Sequence, residues 1–251
     1  MNSQWRHDLP SWLLLLPIAA LLLAIAAYVY GIPLLATAIA ARLPETVTET
    51  LSRETMASLD RQVFSASTLP RERQQSLETA LRQLKLPTGS RGSYRLEFRN
   101  SDAIGANAMA LPSGTIVITD GLVTLARDDR EILGVLAHEA GHVERRHGLR
   151  GIVQSSLMGL VLALLVGDVS SLAPAAASAL LEANYSRDLE READAFAIEV
   201  LGANRIPRRH LAEILRRMES ASGGASNMMS ALQYLSTHPA TSERIAQLEA
   251  Q

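Results

Sequence analysis

Asp128-Asp129-Arg130-Glu131-Ile132-Leu133-Gly134-Val135-Leu136-Ala137-His138-Glu139-Ala140-Gly141-His142-Val143 is the stretch on which the reading of this chain turns. Asp128 followed three residues on by Glu131 resembles a capping arrangement, and Ile132, Leu133, Leu136 and Val143 lay an apolar stripe down to Gly148. The pattern predicts a buried helix over residues 129–147. Inside it, His138-Glu139-Ala140-Gly141-His142 is the H-E-x-x-H pattern. Residues four apart on a helix lie about 40° apart around its axis, so both imidazoles face one point and can share a tetrahedral zinc. Glu139, about 100° round, can reach a water at that metal without being a ligand, which suits a base.

A catalytic zinc keeps three protein ligands and an open position, so a third ligand must come from elsewhere. The chain has no cysteine, which leaves histidine and carboxylate and excludes disulfides and thiolate sites. A metzincin would place glycine at 145 and histidine at 148, where this chain has Arg145 and Gly148. His147 falls on the opposite face of the same helix from His138 and reads as a surface or helix-end residue. The acidic cluster Asp188-Leu189-Glu190-Arg191-Glu192-Ala193-Asp194 opens another predicted helix, about 186–201. Glu190 and Asp194 share a face there, and Glu192 points some 200° away from Glu190. One carboxylate of the sharing pair can bind metal while the other orients a ligating histidine from behind.

Working outward, Tyr94, Leu96 and Phe98 alternate with charged residues as a half-buried strand does, and a second strand is expected at 115–119 between turn signals. Residues 43–86 look helical, and a further helix is expected after Pro207. From Leu9 to Ala41 there is no charged residue, and Ser11 to Tyr30 would span about 30 Å as a helix, one hydrocarbon core. Trp5, Trp12, Tyr28 and Tyr30 suit the two interfacial belts. A single-pass anchor is expected rather than a cleaved leader. A second apolar stretch, Ile152 to Leu181, is expected as a pair of core helices, with a hairpin dipping into the membrane or lidding a groove as the alternative. The 251 residues, 47% hydrophobic with a net charge of -2, give no electrostatic case for a nucleic-acid partner.

Four segments in order then resemble one family: Asn107-Ala108-Met109-Ala110-Leu111-Pro112-Ser113-Gly114, the H-E-x-x-H helix, Ser186-Arg187 through Glu190 to Asp194, and Ser236-Thr237-His238-Pro239. The chain resembles the HtpX-type and CAAX-prenyl-protease-type gluzincins, peptidase family M forty-eight, over about residues 94–245. The resemblance implies Glu190 as third zinc ligand, Asp194 behind a ligating histidine, Asn107, Ala108, Met109 and Ala110 as a substrate edge strand, and His238 near the site. Met109 and Ser113 depart from the family's usual phenylalanine and glycine. The expected fold class is α+β: a mainly helical zincin domain (residues 91–251) with a small sheet, an anchor (1–41) and a helical connecting segment (42–90). The expected reaction is peptide hydrolysis with one Zn2+ per chain, Glu139 as base, and His238 as oxyanion donor or inhibitory ligand. The resemblance implies misfolded membrane or envelope proteins as substrates and a periplasmic or other extracytoplasmic face. A membrane-tethered chaperone or adaptor is the alternative; the oligomeric state stays open.

Overall fold

The structure is a computed structural model, and it describes residues 15–166, 187–223, 238 and 242–249. Trp5, Trp12 and residues 167–181, on which expectations were placed, lie outside these.

The N-terminal helix runs as α1 (Leu15–Ala26), a π-helical turn (Ala27–Gly31) and α2 (Ile32–Arg42). Pro33 has no N–H to donate into the preceding turn, and the wider π turn just ahead of it absorbs that loss. The 28-residue helix Leu15–Arg42 is long and apolar enough to cross a membrane, and its large apolar side chains from Leu15 to Leu35 are exposed apart from the half-buried Ile32.

Next come α3 (Glu45–Gln62), β1 (Ser65–Ala66) and α4 (Arg71–Gln83), so the stretch expected to be helical throughout is split by a short strand. The split has a cause: Asp120 accepts hydrogen bonds from the Ser67 hydroxyl (2.6 Å) and from the Thr68 backbone N–H (2.7 Å), which hold this turn extended. Segment 42–90 thereby contributes a strand to the sheet rather than only connecting.

The sheet is mixed, in the order β1-β2-β4-β3, with β2 (Arg95–Asn100), β3 (Ala108–Ala110) and β4 (Thr115–Thr119). β2 and β4 are parallel, and β3 lies antiparallel on the end of the sheet with Ala108 opposite Ile118 and Ala110 opposite Ile116. Alternation sends Leu96, Phe98, Ile116 and Ile118 into the main core and Val117 with Met109 to the other face, against Leu59 and Phe64. Met109 therefore packs away from the helices that follow.

α5 (Asp120–Leu125) leads to α6 (Asp129–Glu144), the predicted helix, ending earlier than expected. Asp128 accepts from Arg130 N and Glu131 reaches back to Arg127 N, both at 2.8 Å, a close variant of the capping box. At its other end Arg146 adopts φ 53°, a left-handed conformation that stops the helix before α7 (His147–Val166) begins. α7 stands along α2 and not in the main core; among its described residues Leu149 and Ile152 are the buried apolar ones, grouped with Ala40. α8 (Arg187–Ala203), α9 (Arg209–Gly223) and α10 (Ser242–Glu249) complete the described elements. α8 packs tightly on α6: a Cβ on Gly141 would lie 2.9 Å from the Ala193 backbone. The expected class, mainly helical α+β with a small sheet, is the one observed.

Candidate metal centre

Helix α6 brings His138 and His142 to one face, as a four-residue spacing dictates, and their Nε2 atoms lie 3.0 Å apart. The close approach at Gly141 lays α8 against that face, and Glu190 meets both imidazoles, at 3.4 Å from each Nε2. His238 comes in from far along the chain. Its Nδ1 is 3.0 Å from Glu190 Oε1 and 3.4 Å from His138 Nε2, and its Nε2 is 3.6 Å from Glu139 Oε1. These four residues each offer a donor atom within 4.8 Å of the others, and all four are buried.

The spacing tests whether a metal fits. Donors at zinc distances of 2.0–2.1 Å in a tetrahedron are separated by about 3.3 Å along its edges. The donor contacts here run from 3.0 to 3.4 Å. Charge gives the same answer. Glu139, Glu190 and Asp194 are buried together, and Arg244 on α10 is the guanidinium among them, pairing with Glu190 Oε2 at 2.6 Å and with both Asp194 oxygens at 2.7 and 2.9 Å. Among the described residues, three carboxylates against one guanidinium leave two negative charges, which a divalent cation balances. Protons answer the same demand: burial opposes charging His138, but Asp194 and Glu190 outweigh it and raise its pKa to about 10. Burial instead drives His142 well below the ordinary imidazole range. Glu190 is held below the carboxylate range despite its burial, with His238 and then His138 as the main causes.

The rear of each α6 imidazole is held. His138 Nδ1 lies 2.9 Å from Asp194 Oδ1, and burial notwithstanding, His138 and Arg244 lower Asp194 to about 2. His142 Nδ1 lies 2.9 Å from Nδ1 of His147, whose Nε2 is 3.1 Å from Glu192 Oε2. With Glu192 ionised the proton placement follows: His147 Nε2–H donates to Glu192, and His142 Nδ1–H donates to the bare His147 Nδ1. Burial lowers His147 to about 4, which keeps it neutral for that role. Here the expectation for His147 is corrected. It is fully buried. The left-handed turn at Arg146 breaks the helix and swings His147 back over His142, so the opposite-face argument, which assumed one continuous helix, does not apply.

Glu139 projects beside the cluster toward β3. Neither of its oxygens has a hydrogen-bond partner among the described residues, and burial raises its pKa, while His238, His138 and the Ala110 backbone pull it down. Asn107 is buried at the start of β3, where its N–H donates to Thr119 Oγ1 at 2.8 Å. Sequence reasoning missed three residues, His147, its partner Glu192, and Arg244. A count of buried carboxylates asks for a cation like Arg244, but no local pattern marks which arginine supplies it.

This is the build of a metal-dependent hydrolytic centre on an H-E-x-x-H helix. Residues 68–251 match Peptidase family M48, and the chain belongs to that family, as the four motifs led one to expect. It is 30% identical to the mitochondrial metalloendopeptidase OMA1 of Arabidopsis thaliana over 141 residues, 55% of this chain and 28% of that one. It is 30% identical to the metalloprotease YcaL of Escherichia coli over 149 residues, 55% of each chain. With OMA1 of Saccharomyces cerevisiae it shares 29% identity over 160 residues, 61% of this chain and 45% of the relative. The matched region thus spans 28% to 55% of these relatives' own length.

Proposed function

We propose that the chain is a membrane-anchored zinc endopeptidase of gluzincin type that holds one Zn2+ on His138, His142 and Glu190. The observation that carries the reading is a set of four buried donors within 4.8 Å of one another, with contacts of 3.0 to 3.4 Å among them, beside a buried glutamate that has no hydrogen-bond partner among the described residues. A bound Zn2+ supplies Lewis acidity to the scissile carbonyl and acidity to water at the site. Glu139 accepts the proton of the attacking water and passes it to the leaving amine. Asp194 and the His147–Glu192 pair fix the tautomers and planes of the two α6 imidazoles. His238 Nδ1 lies within reach of His138 and Glu190 and its Nε2 faces Glu139, so His238 would be a fourth donor to a bound ion, closing the site until it withdraws to admit substrate.

Substrate joins β3 as an added strand. Thr119 N donates to Asn107 O and Leu111 N to Thr115 O, so by antiparallel alternation the backbone groups of Ala108 and Ala110 point to the outer edge of the sheet. Affinity from backbone bonds makes selectivity loose, which suits unfolded or misassembled membrane or envelope proteins as substrates, with the catalytic domain on the extracytoplasmic side.

Metal analysis and digestion of a denatured protein such as casein test the reading. About one zinc per chain and chelator-sensitive cleavage support it. Cleavage undiminished by chelation or by Glu139→Gln sinks it. Proteomics of chains retained by Glu139→Gln in intact cells then identifies the substrates.

A further inference from the structure

Helix α7 sets out from the metal centre and runs down the side of the N-terminal helix. Arg146, just before it, donates to the carbonyls of Ala40 and Leu43 at the C-terminal end of α2. Leu149 and Ile152 close on Ala40, and the other buried residue of α2 is Ala36, one turn further back on the same face. With the start of α7 at the end of α2 and contact continuing along it, the two helices are antiparallel. Going forward along α7 therefore means going back along the N-terminal helix toward Leu15.

The sequence changes character along that path. Gly151 to Val166 carries no charge, and after Gln154, Ser155 and Ser156 the run Leu157–Val166 has no polar side chain, ending two residues before Asp168. Gln154 is exposed, as is Leu160 at 42%. On the neighbouring helix the exposed apolar side chains persist through Leu34 and Leu35, then give way to Thr37 and Arg42. Antiparallel pairing at about 1.5 Å per residue sets the Gln154–Ser156 turn near the level of Leu34 and Leu35. Both helices thus turn apolar at one height.

We propose that Leu157–Val166 enters the bilayer beside the N-terminal helix and is solvated by lipid acyl chains. Ten residues extend about 15 Å, half of a hydrocarbon core of about 30 Å, so as far as Val166 the segment spans one leaflet. As a helix it satisfies its own backbone there. The second insertion fixes the height and tilt of the metal centre, because α7 begins at His147, which holds His142. The inference rests on the reading that Leu15–Leu35 crosses a membrane.

The absence of native cysteine makes the test direct. Nitroxide labels are placed singly on Leu160→Cys, Met158→Cys, Leu22→Cys and Arg61→Cys in the full chain, reconstituted with zinc in phosphatidylcholine vesicles. Collision with oxygen is compared with collision with a water-soluble nickel chelate. Oxygen exceeds nickel at Leu160 and Met158 as it does at Leu22, with the reverse at Arg61, if the segment is in lipid. Lipid at Leu22 with water at both α7 positions overturns the insertion and spares the anchor. Occlusion of both α7 positions from both reagents also overturns it, since protein then covers them. Water at Leu22 overturns the anchor and the insertion together.

Discussion

Glu139 is buried beside His238, with neither oxygen hydrogen-bonded among the described residues, and burial raises its pKa above the ordinary 4.5. A base works only when ionised, so kcat/KM for a soluble peptide at saturating zinc should fall as acid protonates Glu139. Glu139→Gln should keep about one zinc and lose hydrolysis, since the ligands stay. His238 separates two roles. Losing an oxyanion donor cuts turnover by about two to three orders of magnitude. Losing a ligand that closes the site leaves turnover intact or raises it, and that second outcome is expected for His238→Ala, with X-ray absorption reporting one fewer nitrogen on the zinc. His147 acts through His142. His147→Ala should weaken zinc affinity by about 10–100-fold, and Glu190→Ala should abolish it, read by competition with a chromogenic chelator. Equal affinity in His147→Ala and the unmodified chain would return that residue to a packing role. His138, Glu139 and His142 were legible because their spacing is helical arithmetic. His147 was not, because its position depends on one backbone residue, Arg146, leaving the helical region, and nothing in an arginine announces φ 53°.

Helices α6 and α8 build the centre by touching at Gly141, where a Cβ would fall 2.9 Å from both Cα and O of Ala193. Backbone cannot fold away as a side chain can, so Gly141→Ala has to push the helices apart and draws Glu190, one turn before Ala193, off the imidazoles. Overpacking of this kind costs about 1–3 kcal/mol, and both melting temperature and zinc content should fall. Gly151→Ala meets nothing within 4 Å and serves as the control, neutral or slightly stabilising. On the sheet, Ala108→Pro removes an outward N–H without touching the β3–β4 ladder, so zinc and fold should persist while KM for peptides rises. An unchanged cleavage rate would count against β3 as the docking edge. At this scale the periodic elements could be read directly, since Leu96, Phe98 and the capped α6 declare their period locally. β1 could not be read: two residues paired only because Asp120, far along the chain, captures Ser67 and Thr68.

Over the whole molecule, Arg146 links the apolar N-terminal helix to the metal centre. Arg146 donates to Ala40 and Leu43 on one side, and on the other its left-handed backbone places His147 against His142. The sequence offered an apolar helix and a metal helix but nothing to relate them, since a contact between residues about a hundred positions apart leaves no local period. Arg146→Gly divides the two functions. Glycine takes φ 53° without the cost of roughly 1–2 kcal/mol that an L-residue bears, so His147 keeps its place. The two charged hydrogen bonds to the end of α2, worth about 1.5–3 kcal/mol each, are lost. Net stability should drop by about 1–5 kcal/mol, with zinc content unchanged. On the proposed anchoring, what changes is the orientation of the site above the bilayer. Cleavage of a soluble peptide should therefore hold near the unmodified rate, and cleavage of a substrate embedded in the same vesicles should fall. Equal losses on both substrates, with zinc retained, would show that Arg146 serves the site itself and not its tether.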